Sequence, residues 1–164
     1  MVVGIPNTGK SSFINRMAGK NRAKVADKPG VTRHNQWFAI GGGIELLDTP
    51  GVLWPKFDDP VVGDRLAFIG SVKDEVLDSE TMAVRLIEVL RDGYEDKLTS
   101  RFKLNNIDDI HAVMPWEVLE EIGRERGMLI RGGEVNTERA SIMLLDEYRG
   151  GKMGKISFER PPRK

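Results

Sequence analysis

Lys10 and Ser11 close the run Gly4-Ile5-Pro6-Asn7-Thr8-Gly9-Lys10-Ser11-Ser12, whose G-x-x-x-x-G-K-S spacing is that of a loop built to hold phosphate oxygens. Its glycines reach backbone angles closed to other residues, so successive N–H groups can turn inward on one anion. Lys10 is expected to reach the terminal phosphates of a nucleoside triphosphate and Ser11 to ligate magnesium, with Asn7, Thr8, Gly9 and Ser12 completing the cradle. Two further short runs carry matching chemistry. Asp48-Thr49-Pro50-Gly51 follows a strand-like stretch, where Asp48 can hold magnesium through water and the Gly51 N–H can meet a γ-phosphate. Pro29-Gly30-Val31-Thr32 offers the Thr32 hydroxyl and carbonyl to close on the same metal and phosphate as an ordered switch.

These groups need elements to position them. Ser11 to Ala18 carries Phe13, Ile14 and Met17 at helical spacing and stops before Gly19, so the loop runs into a helix whose N-terminus favours anionic oxygen. Only Met1, Val2 and Val3 precede Gly4, so the strand expected to feed the loop looks cut short. Gln36–Ile40 and Ile44–Leu47 read as strands of a hairpin joined by Gly41-Gly42-Gly43, and the second delivers Asp48. From about Val61 the periodicity turns helical. Met82, Ala83, Leu86, Ile87 and Leu90 form one stripe over Ser79–Arg91, and Val118, Leu119 and Ile122 form another over Pro115–Arg126. Asn136 can cap a third helix bearing Ala140, Met143, Leu144 and Tyr148, ended by Gly150-Gly151. Two domains are expected, residues 1–60 with the phosphate loop and residues 61–164 all helical.

The 164 residues are 40% hydrophobic and balance 25 basic against 25 acidic side chains, so no overall field draws the chain to nucleic acid or to an anionic membrane. A local positive run closes it, with Arg149, Lys152, Lys155, Arg160, Arg163 and Lys164 against Glu159. The absence of cysteine removes disulfides and thiolate metal sites, and no apolar run is long enough for a membrane span. A soluble, cytoplasmic chain is the expectation.

Together the three motifs resemble those of a translation-factor-class GTPase, and the wider sequence is similar to the ribosome biogenesis GTPase A family, the YlqF/RbgA group. The resemblance rests on Gly4 to Asn15, Pro29 to Thr32, Gln36-Trp37, Leu46 through Phe57, Arg65-Leu66-Ala67, Gly127, Gly132-Gly133 and Ser157-Phe158-Glu159. Trp54-Pro55-Lys56-Phe57 is its most specific part. The fold it implies is α/β, a P-loop NTPase G-domain portion with an incomplete sheet followed by an all-α C-terminal domain. That family's G domain is circularly permuted, with its guanine-reading elements ahead of the phosphate loop. No N-K-x-D motif follows Asp48 here, and Asn105-Asn106-Ile107-Asp108 lacks its lysine. The chain is therefore read as a C-terminal portion of such a protein, with specificity for GTP inherited from the resemblance.

Phosphoryl transfer needs positioning and charge neutralisation more than covalent chemistry, so Lys10 and Thr32 are the expected catalytic groups, and Ser11, Thr32 and Asp48 the expected holders of Mg2+. Val52 follows Asp48-Thr49-Pro50-Gly51, where many GTPases keep a water-orienting glutamine, and cannot polarise water. Slow intrinsic hydrolysis follows. The resemblance implies that Asn7 helps hold a K+ ion and that docking on the large ribosomal subunit and its rRNA accelerates hydrolysis. It also implies that the helical half, with its basic end, contacts that RNA. His34, two residues past Thr32, reads as a solvated side chain before a catalytic one, and His111 as structural. The runner-up is a non-catalytic ribosome- or RNA-binding fragment with weak nucleotide binding. An adenine-nucleotide enzyme is disfavoured by the switch-like motifs, yet no base-reading motif in the chain removes it.

Overall fold

The apolar stripes fold into two compact units, residues 1–76 and 77–164, in a computed structural model that describes residues 1–19, 23, 25, 29–73 and 78–159. In the first unit the phosphate-loop run turns directly into α1, Lys10–Ala18, with left-handed glycines at both ends, Gly9 (φ 79°) and Gly19 (φ 62°). Strands β1 (Gln36–Gly41) and β2 (Ile44–Asp48) pair antiparallel, with Phe38 opposite Leu46 and a register irregularity between Ala39 and Gly41. The glycine turn between them takes positive φ at Gly41, Gly42 and Gly43, the backbone sense that suits a tight hairpin.

Val2 runs beside β2 in parallel sense. Its N–H donates to Leu47 O at 2.9 Å, and the Thr49 hydroxyl donates to Val2 O at 2.8 Å. A small core of Ile14, Ala23 and Phe38, with Val2 and Leu46 against it, fastens α1 to the hairpin. Of the three apolar residues expected to form the α1 stripe, Ile14 alone is buried, while Phe13 and Met17 are half exposed. The hairpin covers only the line of α1 on which Ile14 lies.

Helix α2, Pro60–Phe68, starts on Asp59, whose carboxylate accepts from Val61 N at 2.9 Å, with Pro60 at its first position. It buries Leu66, Ala67 and Phe68. The sequence pattern grouped this segment with the helical half, whereas the structure groups it with the phosphate loop. The reason is hydrogen bonding from its C-terminal end: the Ser71 hydroxyl donates to Pro6 O at 2.7 Å and the Asn7 side-chain amide to Ile69 O at 3.3 Å.

In the second unit α3 (Ser79–Phe102), α4 (Pro115–Glu125) and α5 (Thr137–Arg149) pack on one another pairwise. The stripe of α3 is buried from Met82 through Leu90 as its spacing predicts. The helix does not stop at Arg91, however. It kinks at Tyr94 (φ −150°, ψ 37°), next to Gly93, then resumes and buries Leu98 and Phe102. Leu90, Leu98 and Phe102 keep one apolar line across the kink, which is why helix continues past residues that signal an end. An isolated antiparallel bridge, Leu129 with Val135, spans a turn that takes positive φ at Gly132 and Gly133.

The closing segment is tied to the kink. Tyr94 OH donates to Ser157 O at 2.7 Å and accepts from Ser157 N at 2.9 Å, and the Tyr148 and Phe158 rings stack at 5.7 Å. Arg160, Arg163 and Lys164 of the expected basic run lie outside the described residues. Lys152 pairs at 3.8 Å with Glu147, a buried carboxylate that also takes a two-bond contact from Arg101 at 2.8 Å. At the α4–α5 crossing Gly123 leaves no room for a side chain, since a Cβ there would overlap Val135 Cγ1 and lie 3.2 Å from Ala140 Cβ.

Burial, with a smaller contribution from Tyr94, pushes the Tyr148 phenol up to about 12. The folded state thus keeps a proton that the unfolded chain releases near pH 10, so stability is intact below that pH and falls as pH rises toward 12. Tyr148→Phe is expected to remove the upper step of the alkaline tyrosine absorbance titration and to flatten the loss of melting temperature above pH 10. An unchanged titration would contradict this burial.

Candidate phosphate and metal site

The loop between Val3 and α1 owes its shape to three positive-φ residues, Gly4 (φ 157°), Asn7 (φ 57°) and Gly9 (φ 79°). Asn7 is the unexpected one, because a non-glycine residue in the left-handed region needs support. Here its side-chain amide is anchored on Ile69 O. Inside the turn, the Thr8 hydroxyl and the Lys10 ammonium both donate to Ile5 O, at 2.9 and 2.7 Å. Burial holds the Lys10 ammonium below the usual lysine range, and the nearby Asp48 charge partly opposes that shift. A cation in this setting is poorly hydrated and well placed to pair with an anion.

Three oxygens from distant parts of the chain meet at the start of α1. Ser11 Oγ donates to Asp48 Oδ2 at 2.7 Å, lies 3.1 Å from Thr32 Oγ1, and Thr32 Oγ1 donates to Asp48 Oδ2 at 3.4 Å. Ser11 comes from the helix, Asp48 from the end of β2 and Thr32 from the segment leading into β1. Asp48 is 1% exposed, and its second carboxylate oxygen is buried with no hydrogen-bond partner among the described residues. A carboxylate is not stable buried and half-satisfied unless positive charge is near. Two hydroxyls and an acidic oxygen are hard donors of the kind Mg2+ takes, and a buried acidic oxygen without a partner fits a cation at this point.

These oxygens border a cavity. Residues 6–12 line it together with Val25, residues 30–32 and Gly51. The structure therefore places Asn7, Thr8, Gly9, Lys10, Ser11, Ser12, Thr32 and Gly51 on one lining, with Asp48 bonded to two of them. Gly51 has a steric role here. A Cβ there would stand 2.5 Å from both Pro6 N and Pro6 Cα and 2.8 Å from Ile5 C, so only glycine lets the segment after Asp48 lie flush on the phosphate loop. Val52 beside it is 74% exposed and has no group to orient water.

Neither histidine is among the residues that line this cavity. His34 is exposed in the segment between Thr32 and β1. His111, in the second unit, faces Asp92 at 3.8 Å and Glu95 at 3.5 Å. Among the described residues no cluster of three or more His, Cys, Asp or Glu could hold a metal, and no helix is long and apolar enough to cross a membrane. Sequence reasoning passed over Ser71, Ile69 and Asn15. The first two brace the loop from behind, and Asn15 grips Ala23. No short-range pattern signals such contacts, because each joins a side chain to backbone distant in sequence.

A glycine-bounded loop, a helix opening on its lysine and an acidic strand end define a P-loop nucleotide-binding fold. Comparison with known proteins narrows that class. Residues 1–115 match the family described as 50S ribosome-binding GTPase, and the chain belongs to that family. It is similar to the ribosome biogenesis GTPase A of Bacillus cereus, at 46% identity over 98% of this chain and 53% of that protein. Against the protein of the same name from Thermotoga maritima it is 34% identical, over 98% of this chain and 56% of that protein. Among solved structures, the GDP-bound structure of TM YlqF is 31% identical and superposes with a TM-score of 0.67, over 99% of this chain and 60% of that one. The GNP-bound structure of YlqF from T. maritima is 30% identical with a TM-score of 0.66, over 99% and 59%. The chain thus spans about half the length of the curated relatives it matches.

Gly51→Ala is expected to force the loop backbone at Ile5 and Pro6 aside. Forcing a side chain into a filled space costs about 1–3 kcal/mol, so affinity for a magnesium–triphosphate should fall by roughly ten- to a hundredfold while the second unit keeps its stability. Nucleotide titration beside a thermal melt checks this, and near-normal affinity would refute the flush contact.

Proposed function

We propose that this chain is the phosphate-binding and ribosome-docking part of a GTP-hydrolysing factor in large ribosomal subunit assembly. The single observation that carries the reading is the meeting of Ser11, Thr32 and Asp48 oxygens beside the Lys10 loop. Membership of a 50S ribosome-binding GTPase family and the names of the relatives support the choice of GTP and of the ribosome as partner.

In this reading Asn7, Thr8, Gly9, Lys10, Ser11, Ser12 and Gly51 bind the phosphates, with Lys10 neutralising charge on the transferred group. Ser11, Thr32 and Asp48 would hold Mg2+, which when bound supplies electrostatic stabilisation of the phosphate oxygens. Thr32 is the proposed switch residue, and its contacts with Ser11 and Asp48 support that role. Asn7 is the proposed neighbour of a K+ ion. Val52 leaves the attacking water without an orienting side chain, so intrinsic hydrolysis is slow and acceleration comes from the docked subunit. The second unit acts as an all-α C-terminal domain whose basic end, from Arg149 onward, faces rRNA. A cytoplasmic location follows from that partner.

The test is steady-state hydrolysis with purified large subunits. GTP turnover is expected to rise at least tenfold on adding subunits, ATP turnover to stay at background, and Lys10→Ala to lose at least a hundredfold of the stimulated rate. Equal turnover of GTP and ATP, or no response to subunits, would reject this function.

A further inference from the structure

Helix α2 ends in a turn that presents two groups to the phosphate loop. Gly70 takes a left-handed φ of 69°, its N–H donates to Ala67 O at 2.9 Å, and the Ser71 N–H donates to Leu66 O at 2.9 Å. This paired closure sets where Ser71 stands from the helix's own backbone, without help from the loop. Ser71 is 1% exposed, and its hydroxyl donates to Pro6 O at 2.7 Å. One residue on, the Asn7 side-chain amide rests on Ile69 O at 3.3 Å, beside a backbone φ of 57° that asparagine tolerates better than most residues. Both contacts are direct and lie within the first unit.

A peptide group is planar, and among the described residues none is cis. The Pro6 carbonyl and the Asn7 N–H therefore point in opposite directions, so a bond that holds the first also aims the second. Pro6 and Asn7 line the phosphate-loop cavity, whereas Ser71 does not. We infer that Ser71 is a positioning residue for the nucleotide: by holding Pro6 O on the α2 side of the loop, its hydroxyl turns the Asn7 N–H toward a phosphate oxygen. The inference rests on the proposed function, since it presumes a nucleotide in the cavity. The Lys10 and Ser11 N–H groups belong to the first turn of α1 and are aimed by that helix. Loss of the Ser71 hydroxyl should therefore be felt at Asn7 and not at those two.

The experiment follows backbone amide signals of the whole chain by heteronuclear NMR as GDP and magnesium are added, in the unaltered form and in Ser71→Ala, with affinities taken from the same titrations. In the unaltered chain the amide protons of Asn7, Lys10 and Ser11 are expected to move downfield as they bond to phosphate. Ser71→Ala is expected to lose most of the Asn7 movement, to keep that of Lys10 and Ser11, and to bind GDP about tenfold more weakly. An Asn7 signal that moves as before overturns the inference. So does an equal loss at all three amides, which marks general damage to the loop. If Ser71→Ala does not fold, Ser71→Cys serves, because its thiol is of similar size but a weak donor. There the Asn7 movement should shrink while the other two persist, and a full Asn7 movement overturns the inference too. Should none of these amides respond in the unaltered chain, the proposed function itself fails, and this inference with it.

Discussion

A carboxylate buried at Asp48 is the constraint around which the first unit is organised. An ionised group removed from water costs several kcal/mol unless it is compensated, and the compensation seen here comes from Ser11 and Thr32 hydroxyls and the approach of Lys10. To bring them together, β2 must end beside the start of α1, and the segment before β1 must cross it. The Val2–Leu47 bond, the Thr49–Val2 bond and the Ile14–Phe38 core hold that arrangement.

The same arrangement explains why the loop is braced on two sides. Gly51 lies flush on Ile5 and Pro6, while Ser71 and Ile69 at the end of α2 take hydrogen bonds from or to the loop. Residues on either side of the loop thus feel its backbone directly. In the second unit the corresponding anchor is Glu147, buried among Arg101, Arg126 and Lys152 at the ends of its helices. Cations near helix C-termini also complement the helix dipoles.

Much of this was legible in the residues because it is local. Glycine spacing gave the loop, apolar periodicity gave α1 and the buried stripe of α3, and the triple glycine gave the hairpin turn. Thr32 and Asp48 could be singled out as short motifs, although only the fold brings their oxygens within 3.4 Å. What could not be read were contacts of side chain to distant backbone. Ser71 with Pro6 and Asn15 with Ala23 leave no pattern in sequence, and the first of these moves α2 into the phosphate-loop unit. The α3 stripe was read over Ser79–Arg91, whereas the helix runs on to Phe102 and buries Leu98 and Phe102 beyond the kink. Phe13 and Met17 kept helical spacing yet remain half exposed, because spacing states which side chains share a face and not what covers it.

The most direct measurement is paramagnetic broadening of backbone amide signals by Mn2+ in the presence of GTP. Broadening centred on Lys10, Ser11, Thr32 and Asp48, abolished by Asp48→Asn, is expected if these oxygens form the metal–phosphate centre. Broadening centred elsewhere, or unaltered by Asp48→Asn, would contradict it.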